Sequence, residues 1–327
     1  MNPDPLFVVN SKSACKACGG GRRERKACQS CLGSGFTPIN LNGLWSPSPG
    51  FLVCGGPSLR HMPFERLRER GVVSLAVNNV AAYAPVSAYC FGDPQTKFHH
   101  GIHLDPKCIS FVPSGKLRKH IRAKLPDGSF RTLDRMLMDC PTVFGFSRKA
   151  VLFPKEFLTT TYAQWGRGGN QPEADQPFRC IETMLLGVRL MHYLGCPKVY
   201  MVGVDFEMTD DRQYCFDQSK AARNGRYKKV NAMLREIKPV LDADGFQIFN
   251  CNPKSKCDVF PFVSFDEALE ECKGAVPDEP FDLGEWYNKG LEQQNRDKTP
   301  EMISVADLKK IQNEHKKNSV EKERKQT

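Results

Sequence analysis

The chain lacks long apolar runs. Nowhere in its 327 residues do 18 apolar residues follow one another, so no helix is expected to span a bilayer and no membrane partner is expected. The opening, Met1-Asn2-Pro3-Asp4-Pro5, has neither the basic stretch nor the apolar stretch of a secretory signal. A cytoplasmic location is expected, the host cytoplasm if the chain is viral. Negative charge is also scarce: 37 Asp and Glu face 47 Lys and Arg, a formal net charge of +10. That excess suits a polyanionic partner. With 40% hydrophobic residues, there is enough apolar material for one large core with an appendage, or for two modest domains.

Cysteine is abundant, at 14 residues. In a chain without a secretory signal, the ten scattered ones (Cys54, Cys90, Cys108, Cys140, Cys180, Cys196, Cys215, Cys251, Cys257, Cys272) read as reduced core residues rather than disulfides. The other four form Cys15-Lys16-Ala17-Cys18 and Cys28-Gln29-Ser30-Cys31. Two CxxC pairs this close, each followed by glycines, predict one tetrahedral zinc held by four thiolates. Lys12, Lys16, Arg22, Arg23, Arg25 and Lys26 surround them against Glu24. Nucleic-acid contact, a protein partner and a purely structural role are all compatible with that pattern. The stretch Cys28-Gln29-Ser30-Cys31-Leu32-Gly33-Ser34-Gly35 resembles the CxxCxGxG repeat of DnaJ-type zinc domains, with one site where that family carries two.

Beyond residue 50, apolar and β-branched runs alternate with helical spacing. Strands are expected at 51–54, 72–77, 88–91, 108–112, 142–146, 198–204 and 246–249, and helices at 57–70, 176–194 and 230–244. This alternation predicts an α/β fold: a Rossmann-like, mostly parallel sheet with helices on both faces, plus a small N-terminal zinc-binding module. The expected divisions are a zinc-binding module at 1–37, a linker at 38–50, the main domain at 51–275 and a charged extension at 276–327. That extension reads as partly helical, with a frayed end.

The most informative stretch is Phe51-Leu52-Val53-Cys54-Gly55-Gly56-Pro57-Ser58, a strand running through a glycine turn into an expected helix. Free amides at a helix start, with the positive end of its dipole, favour an anion. A phosphate cradle and an ordinary strand-to-helix turn both fit these residues. In parallel sheets ligands gather beyond the carboxyl ends of strands. There the sequence places Gly55, Gly56, Ser58, Asn78, Asn79, Asp93 and Asp205, which together point to a nucleotide site.

The order Val-Cys-Gly-Gly-Pro-Ser-Leu, Ala-Val-Asn-Asn, Tyr-Cys-Phe-Gly-Asp-Pro and Val-Tyr-Met-Val-Gly-Val-Asp-Phe resembles the bacterial lipooligosaccharide sialyltransferases and their relatives. These include motility-associated glycosyltransferase-like proteins and archaeal pterin pyrophosphokinases. The resemblance covers about residues 50–270. It implies that Gly55, Gly56, Pro57 and Ser58 lie at the phosphates of a cytidine nucleotide sugar, and that Asn78 or Asn79 and Asp93 face the nucleotide. The sialyltransferases carry Gly-His-Ser-Lys after the Gly-Ile-Asp-Phe strand, with the histidine as general base. Here the comparable stretch is Asn224-Gly225-Arg226-Tyr227-Lys228-Lys229. Arg226 cannot take a proton, which argues against a sialic acid donor. Arg226, Tyr227 or Lys228 would instead stabilise a leaving diphosphate. Asp93 and Asp205 are the candidate bases, with His99, His100 and His103 behind them.

Basic residues recur at 114–150 and 219–238, two further surfaces for a phosphate backbone. Tyr162, Trp165 and the glycine-rich loop 166–170 read as an acceptor-binding segment or a surface loop. The expected function is a nucleotide-sugar-dependent glycosyltransferase that modifies a hydroxylated base in DNA, as in phage DNA hypermodification. Catalysis is expected from Asp93, Asp205 and Arg226. Nucleotide binding is expected from Gly55, Gly56, Pro57, Ser58, Asn78, Asn79 and Lys228, and structural zinc binding from Cys15, Cys18, Cys28 and Cys31. The alternatives are a pyrophosphokinase-like enzyme acting on a small heterocycle with ATP and magnesium, and a non-catalytic zinc-containing nucleic-acid binder.

Overall fold

The structure, a computed structural model, describes residues 8–20, 36–93, 95–98, 100–125, 127–146, 157–158, 183–208, 213–216 and 224–274. All of them belong to one compact unit, Met1–Pro277. Cys28, Cys31, His99, Cys180, the segment 162–170 and the charged extension lie outside the described residues.

Eleven strands are described: β1 (Val8–Ala14), β2 (Phe36–Ile39), β3 (Gly50–Val53), β4 (Val73–Val77), β5 (Ala88–Cys90), β6 (Ile109–Pro113), β7 (His120–Lys124), β8 (Phe130–Met136), β9 (Val143–Phe146), β10 (Lys198–Val202) and β11 (Gln247–Asn250). Nine form one sheet in the order β11-β10-β3-β4-β5-β6-β9-β1-β2. The seven from β11 to β9 run parallel. The central strands are buried on both faces, so their side chains divide by the two-residue period of a strand. Leu52, Leu75, Val77, Val199 and Met201 enter one core. Phe51, Val53, Ala76, Tyr200 and Val202 enter the other.

Helices cover both faces, as the alternating pattern predicts. On the first lie α2 (Thr183–Tyr193) and α3 (Asn224–Asp244), through Leu185, Val188, Met233, Leu234 and Ile237. On the second lies α4 (Phe265–Gly274), where Phe265 packs 5.3 Å, centroid to centroid, from Phe51. The short α1 (Gly101–Leu104) adds Ile102 to that same core. Among the described residues no helix is long and apolar enough to cross a membrane.

The helix expected at 57–70 is not there. Two five-residue 3-10 turns take its place, Pro57–His61 and Phe64–Arg68, which bury Leu59 and Leu67. Pro63 is the cause. It has no N–H to give and pushes the preceding residue out of helical backbone, and Met62 is extended at φ −105°, ψ 143°. The helical spacing of the apolar residues survives, but the continuous dipole does not.

The N-terminal segment also differs from its reading as a separate module. β1 pairs antiparallel with both β9 and β2, so residues 8–14 and 36–39 are strands of the main sheet. Ala14 pairs with Phe36, which sets the ends of the cysteine-bearing connection side by side. The 38–50 segment, read as a linker, caps α2. The Gly43 and Trp45 amides donate to the carbonyls of Tyr193 (3.1 Å) and Leu194 (2.6 Å), acceptors that a helix end leaves unpaired.

Sequence reading missed the β7–β8 hairpin, which forms a second, two-stranded sheet. Its charged residues mask the short apolar alternation of Ile121 and Ala123.

Nine of the ten scattered cysteines are buried with free thiols, and Cys180 lies outside the described residues. Burial pushes Cys108, Cys196, Cys215, Cys251, Cys257 and Cys272 up to about 12. An exposed thiol ionises near about 8.5. The unfolded chain therefore sheds protons, from about pH 8.5 upward, that the folded chain keeps. This contribution to stability is intact below that window and is lost as pH rises through it. Urea unfolding should show a midpoint at about pH 10 well below that at about pH 7.5, with the gap narrowed by Cys196→Ala. Equal midpoints would contradict the burial of these thiols.

Gly187 lets α2 approach the sheet, since a Cβ there would sit 2.6 Å from Leu52 Cδ1 and 3.1 Å from Val77 Cγ1. Gly187→Val should cost about 1–3 kcal/mol by overpacking, measured as a lowered unfolding midpoint.

Candidate functional site

The chain leaves β3 through β4, β5 and β6 on one side and returns to β10 on the other. The carboxyl ends of β3 and β10 therefore flank the point where strand order reverses, the usual place for a ligand crevice. Here the two loops are tied together. Cys54 N–H donates to the Val202 carbonyl and Gly56 N–H to that of Gly203, both at 2.8 Å. Gly203 sits at φ +66°, and a Cβ on it would overlap the Cys54 carbonyl. A Cβ on Gly56 would lie 2.6 Å from both the Gly203 oxygen and Asp205 Oδ2. Both positions require glycine for close approach.

The glycine turn grips an anion, and that anion is the protein's own. Ser58 N–H donates to Asp205 Oδ2 at 2.8 Å, Ser58 Oγ donates to Oδ1, and Asn252 Nδ2 reaches Oδ1 at 2.7 Å. Pro57 has no N–H to offer. Of the phosphate cradle expected at Gly55, Gly56, Pro57 and Ser58, the Gly56 and Ser58 amides are committed inside the chain in this structure. Asp205, read as a candidate base, has its carboxylate held by three donors. Burial, and then the Asp205 charge, push the adjacent Cys54 thiol up, so it stays protonated. Asn252, Ser255 and Lys256 complete this knot. Ser255 Oγ donates to the Val204 carbonyl at 2.6 Å and Lys256 N–H to that of Asp205 at 2.8 Å. Sequence reading missed all three, since a polar loop after a strand has no distinguishing pattern.

Two non-glycine residues have positive φ among the described residues: Asn78 at 57° and Phe206 at 54°. Both lie at carboxyl ends, of β4 and β10, on either side of β3. A left-handed phenylalanine is strained, and such strain gathers at functional sites. Asn78 Oδ1 is buried with no hydrogen-bond donor to it among the described residues. Phe206 stacks on Tyr227, centroids 5.2 Å apart and planes 10° apart, which packs the first turn of α3 against the β10 end. Asn224 pins the same loop: Met208 N–H donates to its Oδ1 at 2.8 Å, and its Nδ2 donates to the Met208 carbonyl at 3.0 Å. The opening turn of α3 holds no acidic residue. Arg226 is half-buried there, and Lys228 and Lys229 are exposed. Cations at the positive end of a 21-residue helix repel its dipole, an arrangement that an anion would relieve.

Over the glycine turn lies an aromatic wall. Tyr214 stacks on Phe216 at 5.2 Å, and a Cβ on Gly55 would touch both rings at 3.3 Å. Cys215 N–H donates to the Gly55 carbonyl at 3.0 Å, and Arg60 Nε to the Cys215 carbonyl at 2.7 Å. This wall also escaped the sequence reading.

Asp93, beyond β5, is exposed and pairs with Lys97 at 3.0 Å. β5 and β10 are three strand spacings apart in the sheet, about 14 Å, so Asp93 and Asp205 do not form a carboxylate pair. His103 is buried and hydrogen-bonded to the Tyr89 hydroxyl, which makes it a core residue. Cys15 is 3% exposed and Cys18 half-buried, in the turn after β1. Among the described residues no cluster of three or more metal-ligating side chains occurs, and the second CxxC pair lies outside them. A cavity of about 290 Å³, lined by Arg68, Tyr83, Ile102, Asp105 and Cys108 among others, opens beside the connections into β5 and β6, on the opposite edge of the sheet.

No protein-family model matches the chain, and no curated protein matches it. Among solved structures it is similar to the sialyltransferase CstII from Campylobacter jejuni, in complex with a substrate analogue, cytidine-5'-monophosphate. The TM-score is 0.35 and the identity 12%, over 76% of this chain and 98% of that one.

Asp205→Ala should cost about 2–4 kcal/mol by orphaning the Ser58 amide and the Asn252 side chain, whereas Asp93→Asn should leave stability unchanged. Equal unfolding midpoints for Asp205→Ala and the unsubstituted chain would show that the knot is not structural.

Proposed function

We propose that the chain is a nucleotide-sugar-dependent glycosyltransferase whose donor lies along the carboxyl edge of β4, β3 and β10, and whose acceptor is a hydroxylated base in DNA. One observation carries the reading: Asn78, held left-handed at φ 57° with a buried and unsatisfied side-chain carbonyl. An unpaired buried acceptor costs about 1–3 kcal/mol, and a nucleoside whose binding opens the turn would satisfy it through its exocyclic amine or ribose hydroxyl. Asn79 sits beside it. The diphosphate goes to the opening turn of α3, where Arg226 and Lys228 offer charge-assisted donors, and not to the amides that Asp205 already uses. Asp93 is the exposed carboxylate at a strand end and takes the proton from the acceptor hydroxyl. The net charge of +10 supports a polyanionic acceptor.

The cysteines fit one structural zinc. Cys15 and Cys18 face inward at the base of a connection whose ends are paired strands, and Cys28 and Cys31 supply the second half of a tetrahedral set. Such a site would close the connection and add folding energy.

Asn78→Gly tests the donor site, because glycine accepts φ 57° without strain. Its melting temperature should match the unsubstituted chain, while affinity for cytidine or uridine nucleotides, read by calorimetry, should fall about tenfold or more. Transfer should appear as a mass increase on a hydroxymethylated oligonucleotide. Transfer to a small glycan and never to DNA would remove the acceptor. Binding of ATP in preference to every nucleotide sugar would replace the transferase with pyrophosphokinase-like chemistry.

Metal analysis should find one zinc per chain, lost in Cys28→Ser. A metal-free folded chain would remove the zinc.

A further inference from the structure

The β7–β8 hairpin stands apart from the nine-stranded sheet and is used by none of the chemistry above. It leaves the sheet after β6 and returns to it at β9. One face is buried through Ile121, Ala123 and Leu133. The other is open. Phe130 and Leu125, each 37% exposed, are among the few large apolar side chains of the described residues that face solvent. The Arg122 guanidinium lies over the Phe130 ring, 4.7 Å from its centroid.

The hairpin's exposed charge is mainly positive, with Arg122, Arg131 and Arg135 against Asp127 and Asp134. Asp127 is taken by its own turn, accepting from Ser129 N–H (2.9 Å) and Oγ (2.6 Å), and Asp139 accepts the Met136 amide at 2.7 Å. No described carboxylate pairs with Arg122 or Arg135. Unmatched cations beside an exposed aromatic ring complement phosphates and unpaired bases together.

The hairpin is also aimed. Lys116, at its base, donates to the Gly92 carbonyl at 2.7 Å and to that of Asp93, and lies 5.4 Å from the centroid of Phe91. From the other side, the Gln95 amide donates to the His120 carbonyl. Both contacts lock the hairpin to the turn that carries Asp93.

We infer that the open face of the β7–β8 hairpin binds a single-stranded stretch of nucleic acid and leads it to Asp93, with Phe130 as the stacking platform and Arg122 as a phosphate contact. This rests on the DNA-acceptor reading above.

The test is fluorescence anisotropy of a labelled single-stranded oligonucleotide with the full chain across a salt series. Arg122→Ala should weaken binding several-fold and reduce the log–log salt slope by about 0.7, the value for one phosphate contact on a single strand. Phe130→Ala should weaken binding by about tenfold with the slope unchanged. Lys107→Ala, exposed before β6 at the opposite edge of the sheet, should do neither. Thermal unfolding of each variant checks that folding is intact. Affinity and slope unmoved in the hairpin variants, while the unsubstituted chain binds, would overturn the inference and leave the DNA acceptor standing. No binding by the unsubstituted chain at low salt would overturn both. Tighter binding to the matching duplex would overturn the single-strand assignment.

Discussion

The carboxylate of Asp205 holds together the two strands between which the sheet changes direction. It accepts from the Ser58 amide and hydroxyl on one side and from Asn252 on the other, so the loops after β3, β10 and β11 share one anion. Gly56 and Gly203 are the condition for it, since either Cβ would force the loops apart. A half-buried charge is tolerated when donors surround it. The usual ligand crevice of a doubly wound sheet is in this protein braced from within.

The strain lies beside that brace. Asn78 and Phe206 take left-handed backbone at the ends of the strands on either side of β3, where a rigid support can hold them. The stack of Phe206 on Tyr227 ties the β10 end to α3 and so places Arg226 and Lys228 near the same edge. Asp93 lies farther along, and the β7–β8 hairpin is fastened to its turn. Asn78, Phe206 and Asp93 thus lie along one edge of one sheet, on loops supported by strands buried on both faces.

Much of this was legible in the sequence. Short β-branched runs gave the parallel strands within a residue or two, because a strand buried on both faces has little choice but apolar residues. The thiols were read as reduced core residues, and nine are buried. Polar residues after the strands marked the carboxyl edge. The errors have physical causes. Helical spacing at 57–70 gave the apolar positions correctly but not the break at Pro63. The charge of the 114–139 stretch hid a hairpin whose buried side is only Ile121, Ala123 and Leu133. β1 was lost because its pairing with β9 joins residues far apart along the chain.

The sequence by itself determined the layering, the strands and the edge where polar groups collect, because each follows from periods of two and 3.6 residues and from the backbone limits of glycine and proline. It did not determine which anion the glycine turn holds. Asp205 is 147 residues from Ser58, and nothing local distinguishes a carboxylate that reaches an amide from one that waits for substrate. That choice belonged to the tertiary structure, because it depends on which two strand ends the sheet brings side by side.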